Sequence, residues 1–131
     1  MRTRTMKPLF LIFCLCLSPL LMGQNQNKIQ EAMANYDYET AVELINKEAL
    51  RSIRQVIAED STNQQAHIEA AECCKAMAKY NDALDYYRKA ISLNPKNKYA
   101  RLQFINLLCN TKNYAEAFGE SSMMSETDSS A

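Results

Sequence analysis

"YNDALDYYRKAISLNPKNKYARLQF", Tyr80–Phe104, contains two helical patterns separated by a single proline. In the first, Ala83, Leu84, Tyr87, Ala90, Ile91 and Leu93 recur three and four residues apart, which places them on one face of an α-helix. The stretch "NPKN", 94–97, interrupts the pattern, because proline lacks the amide hydrogen that a helix interior requires. A second pattern runs from Lys98 to Asn110 through Leu102, Phe104, Ile105, Leu107 and Leu108. Helices joined by so short a link lie side by side and run antiparallel.

The same organisation extends in both directions. Upstream, Gln64 to Met77 lines up Ala66, Ala70, Ala71, Cys74 and Met77. Before it, Tyr38 to Glu59 carries an apolar stripe of Ala41, Val42, Ile45, Ala49, Ile53, Val56 and Ile57. A short helix is expected from Lys28 to Asn35, with Ile29, Ala32 and Met33 inward. Turn or capping residues, Asn35–Asp37 and Asp60–Asn63, separate these patterns. Downstream, a helix starts at Asn113, is expected to reach about Phe118, and gives way to a polar tail over 121–131. Of two glycines and three prolines, only Gly119 and Pro95 lie beyond residue 23. Strands joined by tight turns use more of both. The fold class is therefore all-α.

Tyr80 and Ala83 return as Tyr114 and Ala117, at the same offset in both cases. Paired helices recurring with that 34-residue period resemble the tetratricopeptide repeat family. On the first helix, His67 stands at the family's large-residue place, Ala70 and Ala71 follow, and Cys74 stands at the aromatic place. His67 and Cys74 depart from the family pattern. On the second helix, Ala83, Tyr87, Ala90 and the closing Pro95 agree with it. The next unit offers Arg101, Phe104, Ile105, Leu108, Tyr114 and Ala117, with Ser121 where an aromatic is expected. An earlier copy is visible in Tyr38, Ala41 and Ile45, but the step from Tyr38 to Tyr80 is a 42-residue spacing. Either one long helix bridges that shift or part of a repeat has been lost. The resemblance implies a solenoid of tandem antiparallel hairpins, two or three in number: an irregular one over 24–60 and regular ones over 61–120.

The first 23 residues, "MRTRTMKPLFLIFCLCLSPLLMG", place Arg2, Arg4 and Lys7 before an apolar run from Leu9 to Met22. That order is the layout of a secretory signal peptide, cleaved near Gly23. Retention as an anchor is the alternative, and it is then the only membrane contact expected. Export to the periplasm or cell envelope follows. Without this segment the chain has 12 basic and 15 acidic residues, a net charge of −3. Such a chain has no electrostatic reason to bind nucleic acid.

Chemistry is sparse. Cys73, Cys74 and Cys109 remain beyond the leader, an odd number that argues against a full disulfide framework and reads as small buried side chains. His67 lies seven residues before Cys74, on the same helix face, but a zinc site takes three or four ligands. No glycine-rich phosphate loop and no nucleophile–base pair is evident, so neither catalysis, a cofactor, a metal nor a small-molecule substrate is expected.

The family resemblance implies instead a groove, lined by first helices, that takes a peptide of a protein partner. The residues it assigns there are Gln65, Ile68, Glu69, Glu72 and Lys75 from one helix, and Tyr99, Leu102, Gln103, Asn106 and Asn110 from the next. Ile68 and Leu102 are expected to be exposed within it. The expected function is a non-enzymatic adaptor or scaffold. The alternative is a truncated or degenerate array with a structural or self-associating role.

Overall fold

The structure, a computed structural model, describes residues 23–129, and all of the expected leader except Gly23 lies outside them. Six α-helices and no strand occur among the described residues. They are α1 (Gly23–Ala34), α2 (Tyr38–Glu59), α3 (Gln64–Ala76), α4 (Tyr80–Leu93), α5 (Lys98–Asn110) and α6 (Tyr114–Ser129). The chain divides into two compact units, Met1–Ala49 and Leu50–Ala131.

The helices pair because three of them end in the same turn. After α3, the Lys79 amide donates to the Cys74 carbonyl at 2.8 Å and the Ala78 amide to Lys75 at 3.0 Å. After α5, Asn113 donates to Leu108 at 2.8 Å and Lys112 to Cys109 at 3.1 Å. After α1, Asp37 donates to Ala32 at 2.8 Å and Tyr36 to Met33 at 3.2 Å. These bonds occupy carbonyls that a helix end otherwise leaves unpaired. Each turn needs one left-handed residue, supplied by Tyr36 (φ 60°), Ala78 (φ 57°) and Lys112 (φ 64°). None is glycine, so each side chain carries strain there.

A second kind of loop leads into each regular first helix. Asp60–Asn63 and Asn94–Asn97 are related by the 34-residue period. The Asp60 carboxylate accepts from the Thr62 amide at 3.0 Å, and the Asn94 side chain accepts from the Lys96 amide at 3.1 Å. Asn63 and Asn97 then cap α3 and α5, accepting from the amides of Ala66 and Ala100, both at 3.0 Å. Such caps contribute about 1 kcal/mol each. The loop before α3 has Ser61 where Pro95 stands, so the helix boundary depends on the Asx turn and the cap rather than on proline.

The 42-residue spacing has its explanation in α2. This helix has 22 residues where α4 has 14, an excess of eight that equals the difference between 42 and 34. One uninterrupted helix carries two second-helix registers. Tyr38 and Ala41 correspond to Tyr80 and Ala83 at the longer spacing, whereas Ala49, Leu50 and Arg54 correspond to Ala83, Leu84 and Arg88 at the regular one. The uniform apolar stripe expected along α2 is not observed. Val42, Ile45 and Val56 are 52%, 39% and 43% exposed, and burial falls to Ala41 in the first unit and Leu50 in the second.

In the second unit, Leu50, Ile68, Ala71, Cys74, Leu84, Tyr87, Phe104 and Leu108 belong to one core, with Ile53 and Ile57 packed against it. Each large side chain there contributes roughly 1.5–3 kcal/mol by leaving water. Ala70, Ala83 and Ala90 are fully buried among them, where a larger residue has no room. In the first unit, Ile29, Ala32 and Ala41 are buried, and the Asn25 amide donates to the buried Glu48 carboxylate.

The helix ends differ from expectation at both extremes. α1 begins at Gly23 rather than Lys28, through a polar segment with no apolar period to reveal it. α6 continues to Ser129 through the segment expected as a tail. There, Lys98 pairs with Asp128 and Arg101 with Glu120, while the Ser121 and Ser122 hydroxyls bond carbonyls four residues back. Cys109, expected to be buried, is exposed, because it falls on the face of α5 opposite Phe104 and Leu108.

Replacing Ala78 with glycine should remove the left-handed strain and raise stability by about 0.5–1 kcal/mol, after the entropy that glycine adds to the unfolded chain. A thermal midpoint that falls would contradict this account of the turn. Ala83→Leu should overpack the crossing and cost about 1–3 kcal/mol, visible as a lowered denaturant midpoint.

Candidate functional site

The expected groove residues lie on α3 and α5, in adjacent hairpins of the second unit. Between these helices the Tyr99 hydroxyl donates to Glu72 at 2.5 Å, and Lys75 donates to the Gln103 side-chain carbonyl at 3.3 Å. These contacts join four of the ten residues into two rungs across the helices. Gln65 donates to Glu69 at 3.1 Å within α3. Asn106 and Asn110 are exposed on the same stretch of α5.

Ile68 does not belong to this face. It is 2% exposed and part of the core, whereas Leu102, its counterpart one repeat on, is 47% exposed. Ile68 lies three residues before Ala71, so on α3 the apolar sector is wide enough to include it. Leu102 is left as the apolar element of the candidate face. Tyr99, itself 52% exposed, lies one turn before it.

Burial and the Glu69 and Glu72 carboxylates set the electrostatics of the face. The hydrogen bond to Glu72 raises the Tyr99 phenol above its ordinary value, since ionisation would set an anion against a carboxylate. Tyr87 lies beneath with its ring wholly buried and its hydroxyl without a protein partner. Burial, reinforced by Glu72 and Tyr99, raises its phenol well above the ordinary range. Tyr87 is thus a neutral packing residue. Burial also raises the Cys73 and Cys74 thiols, and the Glu69 and Glu72 carboxylates add to the effect at Cys73. Both stay protonated at neutral pH, the opposite of what a nucleophilic cysteine needs.

His67 and Arg101 are buried polar residues at equivalent places, 5% and 6% exposed. His67 Nε2 donates to the Ser61 carbonyl at 3.0 Å, and Arg101 Nη2 donates to the Pro95 carbonyl at 3.1 Å. Each ties its helix to the loop before it. His67 is therefore occupied in loop closure, and among the described residues no group of three or more His, Cys, Asp or Glu is placed to hold a metal. On another side of this unit, Arg54, His67, Asp82, Asp85, Tyr86 and Lys89 line a cleft, where Arg54 Nε donates to the Tyr86 hydroxyl at 3.2 Å.

Arg88 is a structural residue that periodicity did not reveal. Its guanidinium donates twice to Glu116 and once to Asp85, each at 2.9 Å, and lies over the Phe104 ring at 5.5 Å. It joins α4, α5 and α6. The available signal was its recurrence, since Arg54 precedes it by one 34-residue period.

Two measurements test these contacts. Glu72→Gln should lower the Tyr99 titration toward the ordinary tyrosine range, as followed by pH-dependent NMR of the ring; an unmoved titration would remove Glu72 as the cause. Glu116 is held below its ordinary carboxyl value, first by the hydrogen bond from Arg88. Its contribution is present above the unfolded carboxyl value and is lost as pH falls through the lowered folded one. Arg88→Ala should therefore destabilise by about 1 kcal/mol at neutral pH, in part through lost packing on Phe104, and by less in acid.

No curated protein and no solved structure matches the chain significantly. Residues 75–117, from the end of α3 through α4 and α5 into α6, match the tetratricopeptide repeat family. This segment contains the left-handed turn at Ala78, the Asx loop at Asn94 and the buried Ala83, Tyr87 and Ala90. Over this segment the chain is similar to the tetratricopeptide repeat family.

Proposed function

We infer that this protein is a non-enzymatic adaptor that holds a peptide segment of a partner protein against the α3–α5 face. A tetratricopeptide repeat is a protein-interaction unit, and its first helices present the binding residues. One observation carries the reading: Tyr99 and Leu102 are exposed beside side chains already held in place by the Glu72–Tyr99 and Lys75–Gln103 bonds. Groups fixed before binding lose little entropy when a partner arrives. The paired charges and amides suit a peptide backbone, and Leu102 suits one apolar side chain.

The sequence supports an exported protein working in the cell envelope, through the basic and apolar order of residues 1–23. No helix among the described residues is long and apolar enough to cross a membrane.

A photo-crosslinking residue at Asn106 should give a discrete protein adduct in cells, whereas one at Lys89 on α4 should not. Leu102→Asp should abolish the adduct while leaving the thermal midpoint unchanged. Equal labelling from both positions would defeat the assignment of this face.

A further inference from the structure

Val42 and Ile45 form a separate feature. At the longer of the two spacings, the same positions of α4 hold Leu84 and Tyr87, 3% and 0% exposed in a core shared with Ala100, Phe104 and Leu108 of α5. On α2, Val42 is 52% and Ile45 39% exposed. Among the described residues, the N-terminal half of α2 thus has the apolar residues of a second helix without the helix that covers them in α4. Tyr38, 54% exposed, extends the strip by one turn, since positions 38, 42 and 45 share a helix face. Its ring meets Tyr36 edge-on, with centroids 6.2 Å apart. Apolar side chains aligned over two turns of a polar surface mark a contact area.

Charge identifies the occupant. Residues 24–49 hold Lys28 and Lys47 against Glu31, Asp37, Glu39, Glu43 and Glu48, a net of −3. Residues 50–131 hold ten basic and ten acidic residues. The whole net charge beyond the leader therefore falls within residues 24–49, and Glu39 and Glu43 are exposed one turn apart along one flank of the strip. On α4 the equivalent positions share their core with α5, which has Lys98 and Arg101 and no acidic residue.

We propose that the strip of Tyr38, Val42 and Ile45 docks a basic amphipathic helix of a partner protein. The docked helix presents apolar residues at i, i+3 or i+4, and i+7, with Lys or Arg along the one flank that faces Glu39 and Glu43. An anionic lipid surface is repelled by the same charge. The strip lies on α2 and does not depend on the α3–α5 face.

The test titrates the full chain with two fluorescent helical peptides of about 14 residues, roughly four turns, that share one leucine stripe. One carries Lys at the flanking positions and the other Glu. Fluorescence anisotropy should show the Lys peptide binding about tenfold more tightly, a preference that fades in high salt. Val42→Ser with Ile45→Ser should weaken it by roughly tenfold or more. Glu39→Gln with Glu43→Gln should reduce the preference between the peptides. Circular dichroism melts should be unchanged in both double variants, whose positions are exposed. Leu102→Asp should leave peptide binding intact, which separates failure of this proposal from failure of the α3–α5 reading. Equal binding of both peptides, or no loss in the serine double variant, overturns the proposal. A dimer that the serine double variant converts to monomer assigns the strip to a second copy of this chain and overturns it as well.

Discussion

Every hairpin in the described chain closes on one residue in the left-handed conformation, and much of the structure follows from that turn. Tyr36, Ala78 and Lys112 each reverse the chain while the amides around them return to carbonyls of the preceding helix. A turn of fixed geometry brings the second helix back at a fixed angle. The crossing then becomes so close that Ala83 and Ala90 are wholly buried and Ala117 nearly so. Side-chain size at these places is a consequence of the turn. Non-glycine residues tolerate the strained backbone because the hydrogen bonds and the packing of both helices over-determine it.

Repetition extends to the polar contacts. Asn63 and Asn97 cap, Asp60 and Asn94 turn, and His67 and Arg101 hold the loop behind them, each pair separated by one 34-residue period. The two members of the last pair differ in chemistry but play the same part, since each is a buried donor satisfied by a carbonyl of the preceding loop. This explains how a histidine can occupy a core position of a repeat. A buried polar group is tolerated once its hydrogen bond is made.

The adaptor reading and the proposed helix slot have different physical origins. The α3–α5 face comes from the regular repeat, which sets two first helices beside each other so that Glu72 reaches Tyr99 and Lys75 reaches Gln103. The slot on α2 comes from the one irregularity, eight additional residues or about 12 Å of helix. Regularity builds a surface of paired side chains; the insertion leaves Val42 and Ile45 uncovered.

Helix positions were legible because burial imposes its period on the sequence. The starts of α2, α3, α4 and α5 fall at the residues that periodicity indicated, and α3 ends within one of its expected end. The repeat could be read from Tyr80, Ala83, Tyr114 and Ala117, since close helix crossings restrict residue size. Other features depended on side chains meeting across helices. Arg101–Glu120 and Lys98–Asp128 accompany a helical tail that has no apolar period. Ile68 and Leu102 are equivalent in sequence, yet one is buried and the other exposed, a difference set by the packing around each helix. The sequence alone determined the all-helical class, the 34-residue unit and the absence of a glycine-rich phosphate loop. Only the tertiary structure decided that α2 is one helix in two registers, because a periodic pattern records that a residue repeats but not which neighbour covers it.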